Sequence, residues 1–121
     1  MLVEICKTFD FDAAHKLPML PDTHKCHRLH GHTYRVDIYL MGTVGSDGMV
    51  MEYGALQQIV APVIDGMLDH RYLNDIPGLE TPTTEILAQW VYDRLAPTLP
   101  LLTRITIWES STTRATVRRV S

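Results

Sequence analysis

The chain opens with two stretches in which apolar and polar residues alternate. In residues 3–11, VEICKTFDF, the apolar side chains share one parity, and residues 32–42, HTYRVDIYLMG, repeat the pattern. A period of two is typical of a β-strand that buries one face. Two further strand-like stretches, residues 101–110 and 113–121, end the sequence after a very short connection. We therefore predict four strands.

Apolar residues at helical spacing predict two helices between the second and third strands. The first helix covers residues 54–68, and Pro62 is expected to kink or interrupt it. The second begins with Thr81 as its N-cap and Pro82 at its first helical position, and Pro97 ends it. Its predicted buried stripe consists of Ile86, Leu87, Trp90, Val91 and Leu95.

The predicted element order is strand, strand, helix, helix, strand, strand. This order is typical of an α+β domain in which a four-stranded antiparallel sheet carries two helices on one face. A chain of 121 residues fits a single domain, 1–121. Because the other face and the edges of such a sheet stay uncovered, we expect the protein to form a homo-oligomer.

Composition excludes several classes of partner and location. The chain is 45% hydrophobic and 21% charged, with a net charge of -3, so nothing in it attracts nucleic acid or an anionic membrane surface. The longest apolar run, IVAPVI at 59–64, is far below the roughly 20 residues of a membrane span. The first ten residues include acidic side chains where a signal peptide needs an apolar core. We expect a cytoplasmic protein whose two cysteines are free thiols.

A long predicted loop, residues 12–31, separates the first two strands and carries most of the histidines. Loops of about 20 residues are uncommon unless they are functional. The densest part is KCHRLHGHTY, residues 25–34. Its histidines are open to three interpretations: a metal site, a proton-transfer site or a polar loop that is rich in histidine.

His30 and His32 lie one residue apart at the start of a predicted strand, so both imidazoles are expected on one face. If the first two strands pair as a hairpin, His15 comes close to them and completes a set of three. Three histidines with an open fourth position are the arrangement of catalytic zinc. We interpret His24 and His27 as solvent-exposed loop residues.

Cys26 precedes His30 by four residues, and its role is open from the sequence. It is either the fourth ligand of a structural zinc or a thiol held beside the metal for chemistry. A thiol near a cation and next to Lys25 and Arg28 ionises more readily than a free one, which suits a base or nucleophile.

Three further side chains have two interpretations each. Asp69 and His70 follow the first helix and form either a proton relay or a solvated helix end, since adjacent side chains rarely hydrogen-bond each other. Glu109 lies at the end of the third predicted strand and is either a binding carboxylate or a solvated one.

Taken together, the segments AAHKLP, KCHRLHGHTY, LDHRYLND, PTTE and WES resemble, in order and spacing, the family of zinc-dependent pterin synthases. The resemblance runs from about residue 4 to about residue 115. Its closer match is the 6-carboxytetrahydropterin synthase type, because this chain has the spacing C-x3-H-G-H, whereas the animal 6-pyruvoyltetrahydropterin synthase type resembles C-x5-H-G-H. Cys26 argues against a subgroup that carries glutamate there.

The resemblance implies a role for each candidate residue. It implies that His15, His30 and His32 bind Zn²⁺. It implies that Cys26, Asp69 and His70 transfer protons and that Glu109 anchors the pterin ring. It implies that Thr83 and Thr84 complete the ring pocket. Lys25 and Arg28 are expected either to meet the triphosphate or to be solvated loop cations.

The resemblance also implies an assembly and a reaction. The fold would be the tunnelling fold, in which sheets from several subunits close into a barrel, here a hexamer built as a dimer of trimers. The substrate would be 7,8-dihydroneopterin triphosphate, and the products 6-carboxytetrahydropterin, acetaldehyde and triphosphate. The alternatives are pyruvoyl-type triphosphate elimination and a non-catalytic pterin- or metal-binding module.

Overall fold

The computed structural model describes residues 1–120 and has the predicted α+β class. The strands are β1 (Leu2–His15), β2 (His30–Thr43), β3 (Arg71–Tyr72), β4 (Leu102–Trp108) and β5 (Arg114–Arg118). The helices are α1 (Tyr53–Val63) and α2 (Thr84–Leu95). Four of the strands are those predicted, and β3 is an addition to them.

The sheet has the strand order β3-β1-β2-β4-β5. β1 and β2 pair antiparallel along their whole length, from Leu2 opposite Thr43 to His15 opposite His30. The four predicted strands pair antiparallel, as expected, and the additional β3 pairs parallel to the end of β1, which makes the sheet mixed. A strand of two residues is too short to show alternation, which is why the sequence pattern missed it.

One face of the sheet is lined with buried side chains. At one end of the sheet, the row of buried apolar residues on β1 and on β2 continues into histidines. On β1 the buried row of Phe9, Phe11 and Ala13 ends at His15. On β2 the buried row begins at Tyr34, and His32 and His30 extend it. The predicted loop 12–31 is therefore shorter, because both strands continue until His15 and His30 face each other.

The helices cover this face. The α-helical part of α1 ends at Val63, one residue after Pro62, and a π-helical turn continues it to Leu68. Proline lacks the N–H that the helix needs, so the predicted interruption is confirmed. Along this element Leu56, Val60, Ile64 and Leu68 are buried.

α2 begins two residues later than predicted. Thr83 is its N-cap and accepts a hydrogen bond from the Ile86 backbone N–H at 3.2 Å, whereas Thr81 and Pro82 precede the helix. Both threonines are good capping residues, and only the fold decides between them. Ile86 is 43% exposed, so its assignment to the buried stripe was wrong; the other four predicted members of the stripe are buried. Within residues 1–120, no helix is long and apolar enough to cross a membrane.

Candidate active site

Four potential metal-binding side chains converge where the inward rows of the sheet end. They are His15, His30, His32 and Glu109, and their ligand atoms all lie within 4.8 Å of one another. We call this group the histidine cluster. The hairpin pairing that was expected to bring the three histidines together is present. The carboxylate extends the inward parity of Ile105 and Ile107 beyond the end of β4, which is the sequence signal for its position.

The distances in the histidine cluster match those between ligands of one metal ion. The Nε2 atoms of His15 and His30 are 3.0 Å apart. Glu109 Oε1 lies 3.1 Å from His32 Nε2 and 3.4 Å from His15 Nε2. Donors that are each about 2.0–2.1 Å from a tetrahedral zinc lie about 3.3 Å apart.

Backbone carbonyls fix which ring nitrogen points into the cluster. His15 Nδ1 lies 3.0 Å from the Pro82 carbonyl oxygen, and His30 Nδ1 lies 2.7 Å from that of Arg28. A carbonyl oxygen only accepts hydrogen bonds, so we assign the hydrogen to Nδ1 in both rings. The Nε2 atoms then present lone pairs to the cluster, as metal-binding histidines do.

The histidine cluster brings together nitrogen and carboxylate lone pairs without hydrogen-bond donors to satisfy them. Burial lowers the pKa of His15, and the Pro82 carbonyl and Glu109 offset this only in part. Burial likewise lowers the pKa of His32, with Glu109 as the partial offset, so both imidazoles favour the neutral form. Among residues 1–120, His32 Nε2 is buried without a hydrogen-bond partner, because the approach of Glu109 lacks hydrogen-bond geometry. Lone pairs that face one another in this way need a cation between them, and neutral imidazoles with a carboxylate suit zinc.

Cys26 lies on a short 3-10 turn, Lys25–His27, beside the cluster. Its backbone N–H donates to His24 Nδ1 at 3.0 Å, and its carbonyl accepts from the Leu17 N–H at 2.8 Å. Together with Lys25, His30 and His32 it lines a cavity of about 270 Å³. Its sulfur is not part of the four-ligand group found within the described residues.

The two remaining loop histidines have structural contacts that the sequence did not reveal. His24 is exposed, as expected, but it caps the turn that carries Cys26. His27 is half-buried, so its assignment as a solvent-exposed residue was wrong. Its Nδ1 donates to the Leu20 carbonyl at 2.9 Å and thereby ties the loop together.

Asp69 and His70 form an ion pair, contrary to the expectation for neighbouring residues. His70 Nδ1 lies 2.9 Å from Asp69 Oδ2. The φ angle of His70 is 59°, and this left-handed conformation, rare outside glycine, accompanies the contact between the two adjacent side chains. β1 holds the pair: the Asp12 N–H donates to Asp69 Oδ1 at 2.9 Å, and the Asp12 carbonyl accepts from the His70 N–H.

The ion pair shifts both titrations in the direction that keeps it charged. The Asp12 N–H and then His70 lower the pKa of Asp69, and Asp69 raises the pKa of His70. His70 borders a second cavity of about 550 Å³ that also reaches His32. Cys26 and His70 thus line different cavities, and His32 borders both.

The other predicted site residues lie close to these groups. Thr84 Oγ1 donates to Glu109 Oε2 at 3.3 Å, while Thr83 caps α2. The Lys25 and Arg28 side chains are exposed on the loop beside Cys26.

The chain is similar in sequence to known enzymes. The chain is 41% identical over 117 residues to the 6-carboxy-5,6,7,8-tetrahydropterin synthase of Synechocystis sp., covering 92% of this chain and 89% of that one. It is 34% identical over 114 residues to the dihydroneopterin monophosphate aldolase of Pyrococcus furiosus, covering 92% and 93% of the two chains.

A solved structure of Caenorhabditis elegans 6-pyruvoyl tetrahydropterin synthase superposes with a TM-score of 0.89 at 28% identity, covering 99% of this chain and 97% of that one. The predicted subunit fold, that of the tunnelling-fold proteins, is thereby confirmed. The family model for 6-pyruvoyl tetrahydropterin synthase matches residues 4–120. The chain therefore belongs to the 6-pyruvoyl tetrahydropterin synthase family.

Proposed function

We propose that this protein catalyses the zinc-dependent 6-carboxy-5,6,7,8-tetrahydropterin synthase reaction. In it, 7,8-dihydroneopterin triphosphate and water give 6-carboxytetrahydropterin, acetaldehyde and triphosphate, a step of queuosine and 7-deazapurine biosynthesis. The observation that carries the proposal is the convergence of three imidazole Nε2 atoms beside a free thiol. A relative with this name at 41% identity and the spacing C-x3-H-G-H support the carboxy product.

His15, His30 and His32 would hold the zinc. When bound, it supplies Lewis-acid polarisation of the substrate's side-chain oxygens, which makes the neighbouring C–H bonds more acidic. The carbonyls of Pro82 and Arg28 keep two of the rings in the tautomer that binds metal.

Two groups would move the protons, one on each side of the bound substrate. Cys26, as a thiolate, would exchange protons with one face of the substrate side chain. His70 would exchange them with the other face, and Asp69 keeps its imidazole oriented and favours the protonated form. Cys26 and His70 of one chain line separate cavities, which supports a site in which the two groups that act on one substrate come from neighbouring chains.

Binding of the rest of the substrate falls to polar side chains around the cluster. Glu109 would accept two parallel N–H bonds from the aminopyrimidinone edge of the pterin. Thr83 and Thr84, at the start of α2, would complete the ring pocket. Lys25 and Arg28 are exposed beside Cys26 and would meet the triphosphate.

We further propose that the enzyme acts in the cytoplasm as a homo-oligomer, a hexamer built as a dimer of trimers, in which Asp69 and His70 serve the Cys26 of a neighbouring chain. Co-refolding of inactive Cys26→Ala chains with inactive His70→Ala chains tests this arrangement. Mixed assemblies are expected to recover part of the activity, because some sites then receive both intact groups. Mixtures as inactive as their components would contradict the shared site.

The experiment that tests the reaction is incubation with 7,8-dihydroneopterin triphosphate, followed by mass spectrometry of the pterin and an assay for acetaldehyde. A 6-carboxy pterin with acetaldehyde in equal amount is expected. A pyruvoyl pterin without acetaldehyde would support the pyruvoyl alternative. Turnover of dihydroneopterin monophosphate without loss of phosphate would place the chain with its aldolase relative. Absence of any turnover would favour a binding module.

A further inference from the structure

Glu109 occupies a position that the binding of a pterin ring alone does not explain. Its Oε1 atom is 3.1 Å from His32 Nε2 and 3.4 Å from His15 Nε2, so the carboxylate lies inside the histidine cluster. The backbone holds it there, since the Glu109 N–H donates to the Thr113 carbonyl at 3.1 Å.

The charges at this position indicate what the carboxylate binds. His15 Nδ1 is committed to the Pro82 carbonyl, so its Nε2 faces Glu109 with a lone pair and no hydrogen. A carboxylate oxygen beside such a lone pair is repelled unless a cation lies between them. Three imidazole nitrogens and one carboxylate oxygen form a complete four-donor zinc set.

Glu109 is also the member of the cluster that can leave most easily. Its side chain is 25% exposed, whereas that of His15 is 1% exposed. Among residues 1–120, its Oε2 atom is held only by the Thr84 hydroxyl at 3.3 Å, a long hydrogen bond. The carboxylate can therefore turn away without opening the core.

We propose that Glu109 is the fourth metal ligand in the substrate-free protein and that the pterin ring removes it. The inference rests on the proposed function, in which a metal binds the histidines and a pterin binds Glu109. Two parallel N–H bonds from the aminopyrimidinone edge engage both carboxylate oxygens, so the pterin competes with the metal for Oε1 of Glu109. Ring binding then opens the fourth metal position only when substrate is present.

Cobalt substitution tests the inference, because the visible spectrum of Co²⁺ reports its ligands without turnover. The probe is 6-methylpterin, which keeps the aminopyrimidinone edge but has no side-chain oxygen that reaches the metal. In the wild-type protein this pterin is expected to change the cobalt spectrum. In Glu109→Gln the pterin-free spectrum is expected to differ from wild type already, and 6-methylpterin should leave it unchanged.

Metal affinity gives the second readout. Competition with a chelator is expected to show zinc binding at least tenfold weaker in Glu109→Gln, and also weaker in Glu109→Asp, whose carboxylate is one methylene shorter. Glu85→Gln, an exposed carboxylate in the first turn of α2, is the matched control and should bind zinc like wild type. Circular dichroism confirms that each variant is folded.

The outcomes separate this inference from the proposed function. Full cobalt binding by wild type and Glu109→Gln with identical spectra and affinities overturns the inference alone. If 6-methylpterin leaves the wild-type cobalt spectrum unchanged, the proposed removal of Glu109 from the metal by the pterin ring is overturned. A wild-type protein that binds no cobalt overturns both the inference and the proposed metal centre.

Discussion

Two clusters of polar side chains lie on opposite faces of the same sheet, and their hydrogen bonding differs. The histidine cluster lies on the face that the helices cover. Asp37 lies on the opposite face, which we call the bare face, and is only 2% exposed. Its carboxylate accepts hydrogen bonds from the Thr8 hydroxyl at 2.7 Å, from Arg35 at 3.0 and 3.1 Å and from Trp108 Nε1 at 2.9 Å. We call these four residues the Asp37 cluster.

The Asp37 cluster contains its own counter-charge and donors. Burial raises the pKa of Asp37, but the hydrogen bonds from Arg35, Thr8 and Trp108 outweigh this and lower it overall. Arg35 also stacks on the Trp108 ring, with its guanidinium carbon 4.7 Å from the ring centroid. This cluster needs nothing from outside the chain.

The histidine cluster, in contrast, collects acceptors without donors. Burial lowers the pKa of His15 and of His32, and the hydrogens of His15 and His30 point away from the cluster to backbone carbonyls. Unsatisfied buried polar groups are costly, so chains keep them where a ligand supplies the missing partner. From this difference we propose that the histidine cluster is the binding site and that the Asp37 cluster stabilises the fold.

The largest effect is expected from His30→Ala, which removes one metal ligand. We expect the variant to lose zinc on dialysis, with an affinity at least 100-fold lower, since even indirect partners of metal ligands contribute 10–100-fold. Elemental analysis measures the zinc per chain. His24→Ala, in the same loop but outside the cluster, is the control and should keep its zinc; a fully metallated His30→Ala would contradict the site.

Cys26→Ala separates the metal from the proton chemistry. We expect turnover to fall by roughly 10²–10⁴, the usual contribution of a general acid–base group, while the zinc content stays at the wild-type level. Cys6→Ala is the control, because Cys6 is exposed on the bare face of the sheet. Loss of zinc from Cys26→Ala would instead make Cys26 a structural ligand.

Asp37→Asn tests the other cluster. We expect the free energy of unfolding to fall by about 2 kcal/mol at neutral pH, because the buried donors lose a charged acceptor, while zinc content is unchanged. The folded pKa of Asp37 is lowered, so its contribution is present above the unfolded pKa and is lost as the pH falls through the folded one. Urea unfolding should therefore show the two proteins converging in acid; a constant difference would contradict this origin.

Asp69→Asn is expected to give the smallest effect, a shift in a pH profile. Asp69 raises the pKa of His70, so its removal lowers that pKa towards the ordinary value for histidine. The limb of the kcat/KM profile that belongs to His70 should move to lower pH. Asp65→Asn, an exposed acid on the preceding turn, should leave the limb in place. An unmoved limb in Asp69→Asn would mean that the pair does not act together.

Short-range patterns predicted most of the fold and the centre of the site. The period-two alternation located four strands. Parity placed His30 and His32 on one face, and the assumed hairpin brought His15 close to them. These predictions succeed because side-chain direction in a strand follows directly from position.

The features that the sequence did not reveal depend on contacts between distant segments. Asp37 has the parity of the bare face, and its burial follows from Arg35 and Trp108 closing over it. The pairing of Asp69 with His70 accompanies a left-handed backbone conformation next to Asp12 of β1. No local sequence pattern predicts either arrangement.

The most direct test of the account is X-ray absorption at the zinc edge on the protein as purified. We predict about one zinc per chain with only nitrogen and oxygen ligands at about 2.0–2.1 Å, including imidazole rings, and the same spectrum in Asp37→Asn. A sulfur ligand at about 2.3 Å would place Cys26 on the metal. That result, or a protein without zinc, would contradict a histidine cluster completed by a metal ion with the thiol kept apart.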